Sequence, residues 1–353
     1  MDMAIQIPTK ANSWEIAVRA EQLGFSHVWF YDTPLVNAEL FAAMAAAAMK
    51  TSKIKLCTGV MVPSNSLAPT AASGLATLNA LAPGRIVFGV STGFTGRRAM
   101  GMKPMTLARM SEYIDVVQAL LQCKMTEFEV EGARHKIRFL NPELGLINLE
   151  DPIPLAISAF GPKARALAAQ KGAQWLASVS YPELEKAEFE EMRGLWAEAG
   201  HDPSALYAAA LVGGRVLDEG ETVDSAKTRA QAGPAAAIVF HNFIEQQEFG
   251  SIMGASFPFP AELEAYRKTY NQYEPSDARY LSNHRGHLMF VRPDETHLTG
   301  DVIKALTVTG TKAELVDRLR GLKEIGYHQL QFQVVPGHEN EMMERWADVL
   351  AAV

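Results

Sequence analysis

The chain has 353 residues, of which 48% are hydrophobic and 21% charged, and its formal net charge is −7. That is the make-up of a globular protein with room for a large core. The acidity and the lack of any long basic run exclude general nucleic-acid binding, which rests on basic patches.

The chain starts with a short apolar strand, Ala4 to Ile7, and a helix from an Asn12-Ser13 cap to Leu23, with Trp14, Ala17, Val18 and Leu23 facing inward. Gly24 stops that helix. Ser26 to Tyr31 is the second strand and ends at Asp32; an alanine-rich helix follows over Ala38 to Met49. Ile54 to Val60 is the third strand, Leu67 to Leu81 the third helix, and Arg85 to Ser91 the fourth strand after a Pro83-Gly84 turn. Parallel neighbours need a crossover, so this alternation implies a parallel sheet.

Leu107 to Gln122 reads as a helix and Thr126 to Phe139 as a hairpin around Gly132. Ile153 to Ala159 is the fifth strand, Gln174 to Val179 the sixth, Glu183 to Ala199 a charged helix, and Tyr207 to Leu217 the seventh strand. Thr311 to Gly326 is the last barrel helix, Gln329 to Val335 the eighth strand, and Asn340 to Ala351 a closing helix. Eight strands alternating with helices predict an α/β fold, a closed (β/α)8 TIM barrel forming a single domain over residues 1–353. An open doubly wound sheet is the alternative, but the first strand–helix junction lacks the Gly-rich dinucleotide fingerprint.

The segment 218–308 interrupts the alternation between strand seven and the last barrel helix. It carries Phe240-His241, Phe257-Pro258-Phe259-Pro260, three tyrosines at helical spacing (Tyr266, Tyr270, Tyr273) and His284-Arg285-Gly286-His287. Its aromatic content argues against disorder. Placed after a strand end, it is expected to form a lid and substrate pocket over the active-site face.

No nucleophile elbow, zinc helix, phosphate-loop or paired-carboxylate motif is present. The fifth strand breaks at Gly161-Pro162 and restarts at once as a helix with Lys163 and Ala164 in its first turn. Free N–H groups there, with the helix dipole and Lys163, make a candidate anion site. An ordinary strand-to-helix turn is the plainer reading. Asp32, Thr58-Gly59-Val60, Ser91-Thr92 and Ser178 stand at strand ends, and small residues there leave room for a flat group. Asp32 alone reads equally as a cap or a surface turn, Cys57 as an inert buried thiol, and Arg97-Arg98 as a solvated turn or a phosphate contact. His284, His287 and, more weakly, His241 are the candidates for acid–base work. Two nearby histidines are thin for a metal, so none is expected.

Several stretches together resemble the luciferase-like flavin- and deazaflavin-dependent oxidoreductases, above all the methylenetetrahydromethanopterin-reductase-type branch. They are Ala20-Glu21-Gln22-Leu23-Gly24-Phe25 with Val28 to Asp32, Ser52 to Val60, Ala76-Thr77-Leu78 with Pro83-Gly84-Arg85, and Ser158 to Lys163. Near the end they are Thr309-Gly310-Thr311, Ala313 to Val316 and Gly326-Tyr327. The resemblance implies a ring across the barrel mouth, a cis peptide at Gly59–Val60 against it, Asp32 near its polar edge, and a phosphate at Gly161 to Ala164. Thr92 falls where luciferases place a phosphate-binding arginine, Thr33 where many deazaflavin enzymes have histidine, and Val62 where an asparagine is common. Two functions are implied. The first is a two-component monooxygenase that takes reduced FMN from a separate flavin reductase and oxidises a small organic substrate with O₂. The alternative is hydride transfer with coenzyme F420. A non-catalytic flavin-binding protein is a third reading, which the aromatic insertion disfavours. A homodimer or higher homo-oligomer is expected from the family.

Two further expectations come from absences. No apolar run is long enough to cross a membrane. The start, Met1-Asp2-Met3-Ala4, lacks a signal-peptide pattern, and Cys57 and Cys123 have no disulfide framework. A cytoplasmic location is the expectation.

Overall fold

The computed structural model describes residues 1–179, 182–250 and 256–353. Eight parallel strands close into a barrel: β1 (Asp2–Ile7), β2 (His27–Phe30), β3 (Lys55–Thr58), β4 (Ile86–Val90), β7 (Leu155–Ser158), β8 (Gln174–Ser178), β9 (Ala208–Val212) and β12 (Gln329–Gln333). β5 (Thr126–Val130) and β6 (Ala133–Ile137) form the antiparallel hairpin expected around Gly132. The fold class is therefore the TIM barrel that the sequence predicts.

Helices α1 (Ser13–Gln22), α2 (Leu40–Ala48), α3 (Ala68–Leu81), α4 (Phe94–Arg98), α5 (Leu107–Leu121), α6 (Pro162–Gln170) and α7 (Pro182–Glu198) belong to the barrel's first six strand–helix turns, α4 and α5 both following β4. α8 (Ala226–Gln231), α9 (Gly233–Glu248), α10 (Pro260–Asn271), α11 (Tyr280–Asn283) and α12 (Gly300–Leu306) make up the inserted segment. α13 (Lys312–Ile325) and α14 (Glu339–Leu350) flank β12. Thr311 and Glu314 form a reciprocal capping box at the start of α13.

Period-2 alternation sorts each strand's side chains between the helix layer and the interior. In β12, Leu330 and Phe332 join the large core between strands and helices. Gln329, Gln331 and Gln333 alternate with them and find hydrogen-bond partners inside the barrel. The interior apolar core is small: Ala4, Trp29, Cys57, Val87, Ala156, Leu176 and Ala209, with half-buried Val60 and Leu211 against it. The insertion has its own core of Phe240, Ile244, Tyr266, Tyr270, Leu298 and Ile303.

Three local expectations are corrected. The run Tyr207 to Leu217 is not one strand: β9 ends at Val212, and β10 (Val216–Leu217) pairs with β11 (Gly310–Thr311) in a separate two-stranded sheet. The break falls at Gly213-Gly214, where a Cβ on Gly214 would lie 2.0 Å from the Val308 carbonyl oxygen. The outgoing and returning ends of the insertion thus lie side by side. The first helix buries Ile16, Ala17 and Ala20, while Trp14, Val18 and Leu23 are half-buried. Its Asn12 makes no capping bond; Nδ2 instead donates to Glu15, and Ser13 Oγ accepts from the Lys10 N–H.

Candidate active site at the barrel mouth

The floor of the mouth is built at the end of β3. The Gly59–Val60 peptide is cis, as the resemblance implied. A Cβ on Gly59 would stand 2.6 Å from Trp29 Cβ, and one on Gly89 2.1 Å from the Thr58 carbonyl oxygen. These glycines make room for the indole and for the neighbouring strand. Thr58 lies below this floor and is fully buried. Its hydroxyl donates to the Gly89 carbonyl at 2.7 Å and accepts the Gly89 N–H at 2.8 Å, so it ties β3 to β4 and is not open to the mouth. Cys57 is buried beside it, and burial pushes its thiol well up.

Asp32 is held where the loops after β2, β3 and β4 meet. Its carboxylate accepts the Val62 N–H at 2.8 Å. Its backbone carbonyl accepts Asn65 Nδ2 at 3.3 Å and lies 3.1 Å from where a Cβ on Gly96 would be. Burial raises its pKa, more than the bonds from Val62 and Asn65 lower it. The loop after β4 can come this close because Gly93 adopts φ +76°, with its Cβ direction filled by Val62 Cγ1 at 2.2 Å. Ser91 and Thr92 are half-buried, and the Thr92 carbonyl accepts the Met105 N–H.

The strand-to-helix junction after β7 has the features of an anion seat. Gly161 is the N-cap of α6, with Pro162 in the first turn. Gly161, Pro162 and Lys163 are exposed and Ala164 is half-buried. The N–H groups of Ala164 and Arg165 return to the Gly161 carbonyl. Those of Gly161 and Lys163 have no hydrogen-bond partner among the described residues. Arg165 is buried beneath and anchors the junction, donating to the Phe160 carbonyl, Glu188 and Glu191. Ser178 is exposed at the end of β8. A flavin-type group fits these residues: small, open strand ends around the Gly59–Val60 shelf, and an unpaired helix N-terminus with a lysine to one side.

The three histidines singled out in the insertion are all buried, and the structure gives them different surroundings. His241 Nε2 lies 2.5 Å from Glu295 Oε1. His284 Nε2 lies 3.1 Å from Glu245 Oε2. Both are tied to carboxylates in one polar network. In it Arg292 bonds the Asn283 carbonyl, Tyr266, Tyr273 and Glu295, and Asn283 Nδ2 donates to Glu245. Glu245 also accepts Arg98 Nε at 3.0 Å, which joins the network to the loop after β4. Burial works against ionising Glu245, but its bonds to His284 and Arg98 hold it down at about 2. The His287 imidazole makes no hydrogen bond among the described residues, and its ring is 5.7 Å from that of His284. Burial, then the neighbouring His284 and His241, keep it well below the usual imidazole range.

Arg98, Glu245, Asn283, Arg292 and Glu295 were not singled out from the sequence as one site, because they are distant along the chain. A carboxylate between buried apolar residues of a helix, such as Glu245 after Phe240 and Ile244 in α9, was the available signal. Among the described residues no three His, Cys, Asp or Glu side chains stand where they could hold a metal ion, and no helix is long and apolar enough to cross a membrane.

Comparison with known proteins accords with this geometry. A family model described as luciferase-like monooxygenase matches residues 3–329. The chain is 26% identical over 317 residues to 5,10-methylenetetrahydromethanopterin reductase of Archaeoglobus fulgidus, covering 88% of this chain and 86% of that protein. It is 30% identical over 171 residues to F420-dependent glucose-6-phosphate dehydrogenase of Kineococcus radiotolerans, covering 45% of this chain and 49% of that one. The fold superposes on an F420-dependent secondary alcohol dehydrogenase in complex with an F420–acetone adduct. The TM-score is 0.68 at 20% identity, over 100% of this chain and 98% of the other.

Proposed function

From the premise that the chain belongs to the luciferase-like monooxygenase family and is an oxidoreductase, we propose that it transfers hydride between coenzyme F420 and a small organic substrate held beneath the insertion. The observation that carries this reading is the likeness to a reductase over 88% of the chain, together with that to an F420-dependent dehydrogenase over nearly half of it. Thr92, standing where luciferases place a phosphate-binding arginine, supports the same choice. The reading prefers F420 over reduced FMN, the cofactor that the lid and Thr33 first favoured.

When bound, the cofactor supplies the carbon that takes or gives the hydride. The chain's residues do the rest. The Gly59–Val60 shelf supports the ring, Asp32, Thr92 and Ser178 surround it, and Gly161, Pro162, Lys163 and Ala164 seat the phosphate. The insertion excludes water. His287, whose neutral imidazole has no hydrogen-bond partner among the described residues, takes or returns the substrate proton. His241 and His284 hold Glu295 and Glu245 and thereby the shape of the pocket. Thr58 acts only by fixing β3 to β4.

The test is a fluorescence titration of the purified protein with F420 and, separately, with FMN, repeated with Lys163→Glu. F420 binding weakened at least tenfold by the charge reversal is the expected result. FMN binding with substrate-dependent oxygen uptake would instead select the two-component monooxygenase and its separate reductase, a reading the enclosed aromatic insertion and Thr33 favour. Binding of neither cofactor overturns the assignment of the barrel mouth.

A further inference from the structure

A chain of hydrogen bonds runs through the barrel and ends on the insertion. Tyr207 donates to Asp2 at 2.9 Å and accepts from Gln329 Nε2 at 3.1 Å. Gln331 Nε2 donates to Gln329 at 2.8 Å, and Gln6 Nε2 to Gln331 at 3.2 Å. The Tyr31 hydroxyl lies between Gln6 Oε1 and Gln333 Oε1 and gives its one proton to the nearer, Gln333. Gln333 Nε2 then donates to the carbonyl of Leu288, in the insertion, at 3.0 Å, and to that of Val334 at 2.9 Å. Amide links do not relay protons readily, so this ladder is a brace and not a proton wire.

The brace ends on an unusual residue. Leu288 has φ +59°, a left-handed backbone that a leucine side chain disfavours. Such a conformation persists only where its surroundings fix it. Gln333 is 4% exposed and spends its amide on this site: one end is oriented by Tyr31, the other holds the Leu288 carbonyl. The residue just before Leu288 is His287, the one histidine of the cluster whose imidazole forms no hydrogen bond among the described residues. No hydrogen bond to its ring among the described residues fixes that imidazole, so its placement rests on packing beside His284 and on the backbone that carries it.

We infer that Gln333 is a positioning residue: by clamping the Leu288 carbonyl to the end of β12, it holds the left-handed turn that fixes His287 at the barrel mouth. The proton role of His287 rests on the hydride-transfer reading; the clamp does not. His284, His241, Glu245 and Arg292 are the titratable and charged groups around His287. With the clamp intact burial, and then His284, His241 and Arg292, keep the imidazole neutral, while Glu245 pulls the other way. With the clamp removed the turn loosens, water reaches the ring, and it titrates closer to its ordinary range.

The test needs no substrate. Gln333→Met keeps the side-chain volume but cannot donate to Leu288. Amide hydrogen exchange over residues 284–290 is expected to speed up at least tenfold, with β1 and β2 unchanged. In ¹⁵N-histidine spectra, the resonance lost in His287→Gln is expected to titrate at least one pH unit higher in Gln333→Met than in the native chain. Unchanged exchange overturns the clamp, and faster exchange with an unmoved His287 titration overturns the positioning role. If Gln333→Met does not fold, Tyr31→Phe removes only the hydroxyl that orients the Gln333 amide and is held to the same two readouts in weaker form. A protein that passes both but binds no F420 keeps the clamp and loses the hydride-transfer reading.

Discussion

Arg98 Nε donates to Glu245 Oε2 at 3.0 Å, and both side chains are almost wholly buried. The two residues are 147 positions apart, one in the short helix after β4 and the other in the insertion. The guanidinium also lies 4.4 Å from the Phe249 ring centroid and 5.5 Å from that of Tyr280. This pair is a main polar link between the barrel loop and the segment above it.

Removing one partner of such a pair leaves the other charge buried and less well compensated, Glu245 keeping its bonds to His284 and Asn283 when Arg98 is lost. Arg98→Met and Glu245→Leu are each expected to cost about 3–5 kcal/mol. The double variant is expected to cost clearly less than the sum, since it strands neither of these two charges. Urea unfolding of the native chain, both single variants and the double variant measures the coupling. Strict additivity would show that the pair contributes nothing.

Thr58 tests the floor of the site without touching its surface. Thr58→Val is near-isosteric but removes both hydrogen bonds to Gly89, and it is expected to destabilise by about 1–3 kcal/mol. Thr58→Ser keeps the hydroxyl and is expected to recover most of that loss. Thermal unfolding of the two variants, compared at one pH, decides the point.

Gly93 makes a sharper demand. At φ +76° a side chain is strained, and a Cβ would fall 2.2 Å from Val62 Cγ1. Gly93→Ala is therefore expected to cost more than about 1–2 kcal/mol, the backbone term alone. It is also expected to displace the Val62 N–H from Asp32. Val62→Ala in the same chain removes the clash but not the backbone strain, so only part of the loss returns. Denaturant unfolding of Gly93→Ala with and without Val62→Ala separates the two terms.

Several histidines are buried in their neutral form, which makes the fold acid-sensitive. Burial pushes His27 down to about 4, with Lys55 adding to the shift and Asp2 opposing it. His297 is also held at about 4, chiefly by burial. In the unfolded chain both titrate near 6.5. Between these values the unfolded state binds more protons, so stability is fully present above about pH 6.5 and falls as the pH drops toward 4. At pH 5 each is expected to have cost up to about 2 kcal/mol. Glu245, held at about 2, adds a further loss below about pH 4.5. Urea midpoints at pH 7.5 and pH 5 measure the fall, and a His297→Gln variant is expected to flatten it.

What the sequence determined by itself was the part of the protein governed by local pattern. The strand–helix alternation, the hairpin around Gly132 and the turn at Gly161-Pro162 follow from apolar periodicity and from the torsional habits of glycine and proline. They stand in the structure as expected, apart from the run Tyr207 to Leu217, which the approach of Val308 splits in two. The position of Asp32 at a strand end was legible in the same way. What only the tertiary structure decided was which polar groups meet. Thr58 looked like a mouth residue by position, yet its hydroxyl closes on Gly89 in the adjacent strand. His241, His284 and His287 looked alike by composition, yet Glu295 and Glu245 reach the first two and not the third. Gln333 reads as one more polar residue in an alternating strand until Tyr31 and Leu288 arrive from distant parts of the chain. The physical reason is that burial makes every polar group find a partner or bear the cost of having none. Those partners are chosen by the closure of the barrel and the return of the insertion, not by neighbours along the chain.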